Sequence, residues 1–349
     1  MEKRHLILSL RGDMHAQLVE FALERAGMSP VYLYTERLSE ECRVRIAIDR
    51  GEWLPIALDS DRFGSITEEE IGAVWYRRQP VPILPAIDAP EAERRAMRQE
   101  WEAFTLGLIN AMCKHARWIN RPREQLLAEC KPSQLIAALQ AGLQVPRTLM
   151  GNDPAAIREF VGAQESIYKG FRALAFKTEE GQRQLFTMPV RAQDLSPDDA
   201  YVQVLPGIFQ EKIRKFSDVR IFIVGDEVAA IEMTVSDNPF GVNDMRATPL
   251  WRRRGRVLAV PPAVLDKCRK VLGAMGLVTG SFDFIRTEDD DYVFLEVNSA
   301  GQFIWMEDVA PECRVLSKFL NSFTRTRLFD NVEMQALRSK FQALQKNAA

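Results

Sequence analysis

The stretch GSFDFIRTEDDDYVFLEVNSAGQF at 280–303 decides how the chain reads. Its two apolar ends flank an acidic turn, so it reads as two strands of one sheet. In an extended strand, positions i and i+2 point to the same face, and Glu296 and Asn298 therefore present their oxygens together. Asp283, thirteen residues before Glu296, completes the set from the neighbouring strand. Three hard oxygen donors with no soft ligand nearby suit Mg²⁺, which keeps several waters and bridges nucleotide phosphates. The plainer reading makes Asp283 a strand end and Glu296 a solvated residue, as acidic side chains mostly are. The surroundings argue against it: Phe282, Phe284, Phe294, Leu295 and Val297 are the residues of a buried sheet. There an unpaired carboxylate costs several kcal/mol and calls for a cation.

The rest of the composition narrows the class. With 349 residues the chain is long enough for two or three packed units. Hydrophobic residues make up 46% and charged residues 27%, and 46 basic against 48 acidic side chains leave a net charge of −2. Neither disorder nor nucleic-acid binding is favoured by that balance. The start MEKRHLILSLRGD is charged again too soon for a secretion signal, and no apolar run is long enough to span a bilayer. A cytoplasmic protein is expected, with no membrane partner. Five cysteines (42, 113, 130, 268, 313) without a C-x-x-C pair argue against a zinc ribbon or disulfide framework. Three histidines without H-E-x-x-H argue against metal-bound water on histidine ligands, and neither G-x-G-x-x-G nor a Walker loop is present.

Read along its length, the chain has an α/β character. HLILSL, a run with Leu18, Phe21 and Ala22 ending at Gly27, and VYLYT predict strand, helix, strand. Residues 43–58 predict a hairpin around Arg50-Gly51, and GAVWYRR at 72–78 a further strand. From about Pro90 to His115, Met97, Trp101, Phe104, Leu108 and Met112 recur at helical steps, a region ended by Pro122. A second unit starts near Lys131 with a helix to Gly142. Strand VPRTLM, helix PAAIREFV capped by Asn152 or Asp153, and strands ESIYKGF, QLFTMPV and GIFQEKI follow, with Lys169 at a strand end. The third unit has a hairpin around Gly225-Asp226, a helix at 262–275 and the two strands quoted first. A last helix opens with Asp330 and Glu333 in capping-box spacing and carries a Met334, Leu337, Phe341, Leu344 face.

Set in order, Lys131, Lys169, Gln210-Glu211-Lys212-Ile213, Asp218-Val-Arg220, Asp283 and Glu296-Val-Asn298 resemble the ATP-grasp carboxylate–amine ligase superfamily. Within it the chain is similar to the MvdD-like branch, the graspetide synthetases that cross-link ribosomal peptides through side-chain esters and amides. The likeness covers most of the chain: WYRR at 75–78, Asn120-Arg-Pro122, GL-x-VP-x-T at 142–148, Asp244-Met-Arg246, Gly301-Gln-Phe and Trp305. It implies an ATP-grasp fold with a pre-ATP-grasp βαβ domain at 1–122, a central lid-bearing subdomain at 123–212 and a C-terminal subdomain at 213–349. It also implies ATP and Mg²⁺ as cofactors. The partner implied is an acidic precursor peptide with leader and core; a homodimer is left open.

By the same resemblance, Lys131 and Lys169 hold the α- and β-phosphates. Glu211 and Lys212 meet the adenine edge, Ile213 and Leu295 pack on its faces, and Asp218 takes the ribose hydroxyls. Asp283, Glu296 and Asn298 hold the metal, while Arg220 and Arg246 hold the transferred phosphoryl and the substrate carboxylate. The sequence departs from the family in its lid, which offers only Gly170 and Gly181, and in Met245 where an aromatic is more usual. Two competitors stand beside the peptide cross-linking reading: a RimK- or glutathione-synthetase-like amino-acid or peptide ligase, and a non-catalytic ATP-binding regulator. The basic run Trp251-Arg-Arg-Arg-Gly-Arg256 is read either as a solvated turn or as an attractor for acidic peptide, with Arg77 and Arg78 as the next place to look.

Overall fold

The computed structural model describes the backbone of residues 3–78, 80–172, 175–178, 181–184, 187–234, 253–330 and 334–348, and the side chains of these except at 175–178, 181–184, 334 and 344–348. The expected opening is present: β1 (Arg4–Ser9), α1 (Met14–Arg25) and β2 (Val31–Tyr34). The Asp13 side chain caps α1 by accepting the His15 N–H at 3.0 Å, as a short acidic side chain at that position does. After α2 (Leu38–Glu41), the hairpin around Arg50-Gly51 appears as β3 (Arg43–Asp49) and β4 (Glu52–Ser60), joined by β5 (Gly64–Thr67) into an antiparallel sheet. β6 (Ile71–Tyr76), α3 (Glu91–Ala111) and β7 (Arg117–Ile119) follow. β1, β2, β6 and β7 form a parallel sheet in the order β2-β1-β6-β7.

The stripe on α3 is only partly as expected. Leu108 and Met112 are buried, but Phe104 is exposed and Thr105 takes the buried place beside Leu108. Trp101 packs against the core of the parallel sheet and Met97 is half-buried, so the stripe is kept at its start and broken at Phe104.

Next come α4 (Pro122–Ala128), α5 (Lys131–Gln140), β8 (Thr148–Gly151), α6 (Pro154–Ala163) and β9 (Ser166–Lys169). The hairpin β10 (Ala175–Thr178) and β11 (Gly181–Gln184) occupies the polar stretch after Gly170, followed by β12 (Met188–Val190), α7 (Asp199–Gln203) and β13 (Gly207–Glu211). β12-β9-β13-β8 is an antiparallel sheet. Asp153, not Asn152, caps α6, accepting from Ala155 and Ala156. The last part comprises β14 (Ser217–Val224), β15 (Glu227–Thr234), β16 (Gly255–Val257), α8 (Pro262–Ala274), β17 (Thr279–Arg286), β18 (Tyr292–Asn298), α9 (Met306–Val309), α10 (Val315–Thr324) and α11 (Met334–Ala348). Its strands make an antiparallel sheet in the order β16-β15-β14-β17-β18.

That five-stranded sheet is covered on both faces. On one, Val219, Ile221, Phe282, Phe284 and Phe294 pack with Leu135 and Ala138 of α5 and Val271 of α8, so the 128–143 segment shares the core of this sheet. Truncating one of these buried phenylalanines to alanine costs about 3–5 kcal/mol. On the other face, Phe222, Val224 and Ile231 meet Phe319, Leu320 and Phe323 of α10, and through α10 the Trp75 and Ile7 side of the parallel sheet. Leu337 and Phe341 of α11 join the same core, Phe341 lying 5.7 Å from Phe21; Glu333 of the expected capping box lies outside the described residues. Among the described residues no helix is long and apolar enough to cross a membrane.

Candidate functional site

Alternation along three adjacent strands builds one polar face. Arg220 lies opposite Asp283 across β14 and β17, and Asp283 opposite Glu296 across β17 and β18. Asp218 and Asn298, each two residues along its strand, fall on the same face. The Arg220 Nη1 stands 2.6 Å from Asp283 Oδ1, the Lys131 ammonium donates to Glu296 Oε2 at 2.5 Å, and Asn298 Nδ2 donates to Asp283 Oδ2 at 3.1 Å and Glu296 Oε1 at 3.2 Å. Lys131 begins α5, and Lys169 ends β9 close enough for its charge to act on Glu296.

The family resemblance sets Leu295 against adenine, but strict alternation would send it into the core. A β-bulge corrects it: between Asp283 and Phe284 the register skips from Glu296 to Phe294, leaving Leu295 as the extra residue. Phe294 and Val297 are buried in the core, while Leu295 and Glu296 are both half-exposed. The bulge thus sets an apolar side chain beside the carboxylates.

The two carboxylates are driven apart in acidity. Burial pushes Asp283 up to about 7, with Glu296 and Asp218 adding to the rise and Arg220 opposing it. Burial also works against Glu296, but the Lys131 ammonium, its hydrogen bond and the Lys169 charge hold it down at about 2. Like charges sharing one site cannot both ionise freely without a cation. The donor set fits a hard divalent cation: two carboxylates and an amide, whose oxygen and nitrogen exchange places by a half-turn. Among the described residues no group of three or more His, Cys, Asp or Glu side chains is placed to hold a metal ion, so no softer multi-ligand site competes with this one. Among the described residues the Arg220 Nε and Nη1 are buried without a directed acceptor, and the fully buried Ser281 hydroxyl, across the ladder from Asn298, has no partner. Polar capacity here exceeds what the protein itself satisfies.

The loop that follows these residues is pinned from four sides. Gln134 of α5 donates to Val297 O at 2.8 Å and accepts from Val297 N. Asn120 donates to Ser299 O and Thr279 O and accepts the N–H groups of Val278 and Thr279. Arg77 bonds Ala300 O and Gly301 O at 3.3 Å, and His15 Nε2 accepts from Phe303 N at 3.2 Å. Gly301 is required by close approach: a Cβ there would stand 2.9 Å from Ser281 Cβ. In the sequence Asn120 and Arg77 read as parts of motifs, Arg77 also as a candidate for peptide, and Gln134 and His15 carry no assigned role. A buried glutamine or histidine has no local pattern until its distant backbone partner is known.

Arg77 is a correction. It is 2% exposed and its Nε is 2.6 Å from Asp13 Oδ2, so it faces no substrate. Arg256 is likewise engaged, its guanidinium donating to Glu232 at 2.8 and 3.0 Å alongside Arg286. Arg254 is exposed, whereas Arg253 lies 5.4 Å from the Trp305 ring, which Arg220 approaches at 5.5 Å. Asp244, Met245 and Arg246 lie outside the described residues.

The hinge after β13 also refines the reading. The Lys212 N–H is committed to Glu165 O at 2.9 Å, and Glu211 Oε1 accepts from Arg147 N at 3.0 Å. The first hinge N–H without such a bond among the described residues is that of Ile213, half-buried between β13 and β14. Asp218 is ion-paired at 2.9 Å to Lys215.

No family model and no curated protein sequence matches the chain. Solved structures do. A RiPP-associated ATP-grasp ligase from Chryseobacterium gregarium, in complex with ADP and a leader and core peptide, is 21% identical with a TM-score of 0.80, over 93% of this chain and 97% of that one. The macrocyclase MdnC from Microcystis aeruginosa MRC, bound with precursor peptide MdnA, is 23% identical with a TM-score of 0.76, over 93% and 100%. The ATP-grasp ligase PsnB, complexed with a phosphomimetic variant of its minimal precursor, Mg and ADP, is 25% identical with a TM-score of 0.70, over 93% and 99%.

Proposed function

We propose that this chain, which has the ATP-grasp fold of these ligases, is an ATP-dependent ligase that matures a ribosomal precursor peptide by intramolecular ester or amide cross-links. An Asp or Glu side chain of the peptide attacks the γ-phosphorus of ATP, giving an acyl phosphate and ADP. A Lys amine or Ser/Thr hydroxyl of the same peptide then attacks the acyl carbon, loses its proton and expels phosphate. The observation that carries the reading is the polar sheet face on which Asp283, Glu296 and Asn298 converge, balanced by Lys131 and Arg220.

The roles follow from that face. Asp283, Glu296 and Asn298 would hold Mg²⁺, which when bound neutralises phosphate charge. Lys131 and Lys169 exchange their present carboxylate company for phosphate oxygens, a charge-assisted bond on either side of the exchange. Arg220, with N–H groups to spare, and Arg246 hold the reacting carboxylate and phosphoryl oxygens in a planar fork. The Ile213 N–H and the Glu211–Lys212 strand meet the adenine edge, Leu295 and Ile213 its faces, and Asp218 the ribose. The work is positioning and charge stabilisation, which is why a chain with three histidines suffices. The division into 1–122, 123–212 and 213–349, a cytoplasmic setting, an acidic peptide partner and assembly as a homodimer belong to the same proposal; sedimentation equilibrium reads the last directly.

The test is a mass spectrum, after incubation with Mg·ATP, of a short candidate precursor peptide carrying Asp/Glu and Thr/Ser/Lys residues. One water lost per closure, with one ADP released for each, is expected. ADP release with a free amino acid and an unchanged peptide mass would move the reading to the RimK-like ligase, and no ADP release at all to the non-catalytic regulator.

A further inference from the structure

Outside the carboxyl ends of β1 and β6 lies a cavity of about 940 Å³. In the order β2-β1-β6-β7 the chain leaves β1 toward one side and later returns to it on the other. In an open parallel sheet the crevice at such a reversal is where ligands bind. Its volume is that of a site for several residues of peptide or a molecule of similar size.

Its chemistry is specific. Met14 follows β1, Val81 follows β6, and Ile304, Trp305 and Phe341 close the far side, so the lining is mostly apolar. Of the charged residues on it, Asp13 is taken by Arg77, and Asp308 pairs with Arg338 at 2.7 Å. Arg78 has no carboxylate at ion-pairing distance among the described residues. Glu36 accepts the Arg11 N–H with one oxygen, and its other oxygen is buried without a donor among the described residues. Trp305 is the wall between this cavity and the polar sheet face, since the same ring lies 5.5 Å from Arg220, itself 2.6 Å from Asp283.

We propose that the cavity is a second subsite of the ligase, taking a leucine- or phenylalanine-sized side chain next to the acidic residue that is activated, with Arg78 pairing a further carboxylate of the same peptide. The proposal rests on the ligase reading and deepens it: the substrate is a peptide that sets apolar beside acidic residues. Trp305 is then a specificity-determining side chain, read on one face by the peptide and held on the other by Arg220 and Arg253.

The experiment is saturation-transfer NMR on the full chain with acetyl-Leu-Glu-amide and acetyl-Ala-Glu-amide as probes, using the wild type, Val81→Trp and Arg78→Gln. Val81 is 77% exposed, so a tryptophan there narrows the mouth without entering the core. Met14→Trp, at a position 62% exposed, narrows it from the other side and replaces Val81→Trp if circular dichroism shows that variant misfolded. Expected are leucyl methyl signals in the wild type, affinity about tenfold above the alanyl probe, their loss on narrowing, and an equal weakening of both probes by Arg78→Gln. Leucyl signals that are absent, or that survive both narrowing variants, overturn the subsite. ADP release with the leucyl probe and hydroxylamine is read in parallel. Release that ignores narrowing removes the subsite and leaves the ligase; methyl signals lost on narrowing, with no ADP under any condition, remove the ligase and leave a peptide-binding cavity.

Discussion

Two ion pairs of the same length sit on either side of the loop at 299–304 and do opposite things. Arg77 and Asp13 are 2.6 Å apart with side chains 1% and 7% exposed; Arg220 and Asp283 are 2.6 Å apart at 12% and 23%. Arg77 also bonds two backbone carbonyls, and Asp13 takes the Ser9 hydroxyl and the His15 N–H, so among the described residues the first pair is engaged at every polar group but the buried Arg77 Nη2. Arg220 keeps undirected N–H groups, and Asp283 shares its site with a second carboxylate. Distance alone does not separate a structural pair from one poised for exchange; the remaining bonding capacity does.

Breaking the closed pair should give the larger effect. Arg77→Met leaves the Asp13 carboxylate buried without its cation and frees two carbonyls, a loss of about 3–5 kcal/mol expected in urea unfolding. Nucleotide affinity of the surviving folded fraction should change little. If stability stays within 1 kcal/mol (roughly the spread of a surface change), the pair is no more structural than its counterpart. Glu296→Gln is the mirror experiment. It removes one charge from the polar face without changing side-chain size, so unfolding should shift little while ADP release falls by about 10²–10³-fold. Activity near wild type with unchanged metal dependence would remove Glu296 from the proposed metal set.

Much of the exchangeable side was legible in the sequence because it is carried by alternation: D-F at 283–284 and E-V-N at 296–298 place oxygens on one face whatever the distant packing. The closed side was not. Arg77 read as a candidate for substrate because a strand end beside aromatics looks the same whether it meets solvent or another element. Only the approach of residues 300–301 decides that. The place of Leu295 is not legible from alternation alone, because a bulge breaks the period of two and leaves no local signature. α10 was passed over although Val315, Leu316, Phe319, Leu320 and Phe323 recur at helical steps; that signal was present and would have shown how the two large sheets are joined.

A smaller effect tests the closed side through pH. Burial, helped by the charges of Arg77, Arg78 and Arg338 and opposed by Asp13, pulls His15 down to about 3. Its Nε2 must stay bare to accept the N–H groups of Phe303 and Ile304. Between pH 3 and 6.5 the unfolded chain therefore binds a proton that the folded one refuses, and stability falls as pH falls. From pH 6.5 to 5 the loss should be about 2 kcal/mol. In His15→Gln, whose amide oxygen still accepts, that part of the slope should vanish; an unchanged slope would show that His15 is free to take the proton when folded.

The smallest effect expected sharpens the open side at its rim. Arg253 and Arg254 are neighbours in a basic run, but Arg253 is half-buried and lies 5.4 Å from the Trp305 ring, while Arg254 is exposed and bonds the carbonyl of Arg253. A cation over an indole at a partly exposed place is worth about 0.5–1 kcal/mol. Arg253→Glu removes that contact and puts a negative charge at the edge where the proposed acidic peptide would approach. The apparent KM for the peptide should rise about three- to fivefold, with KM for ATP unchanged. Arg254→Glu changes the same net charge by the same amount without touching Trp305, so it isolates the long-range part, and that part should shrink with added salt because charges beyond about 8 Å are screened at physiological ionic strength. If the two substitutions raise KM equally and salt abolishes both effects, the run is a solvated turn acting only through net charge. If the Arg253 effect persists in salt while that of Arg254 vanishes, the ring of Trp305 carries the arginine's influence to the reacting side chain, and the open side of the comparison extends one residue beyond the sheet face.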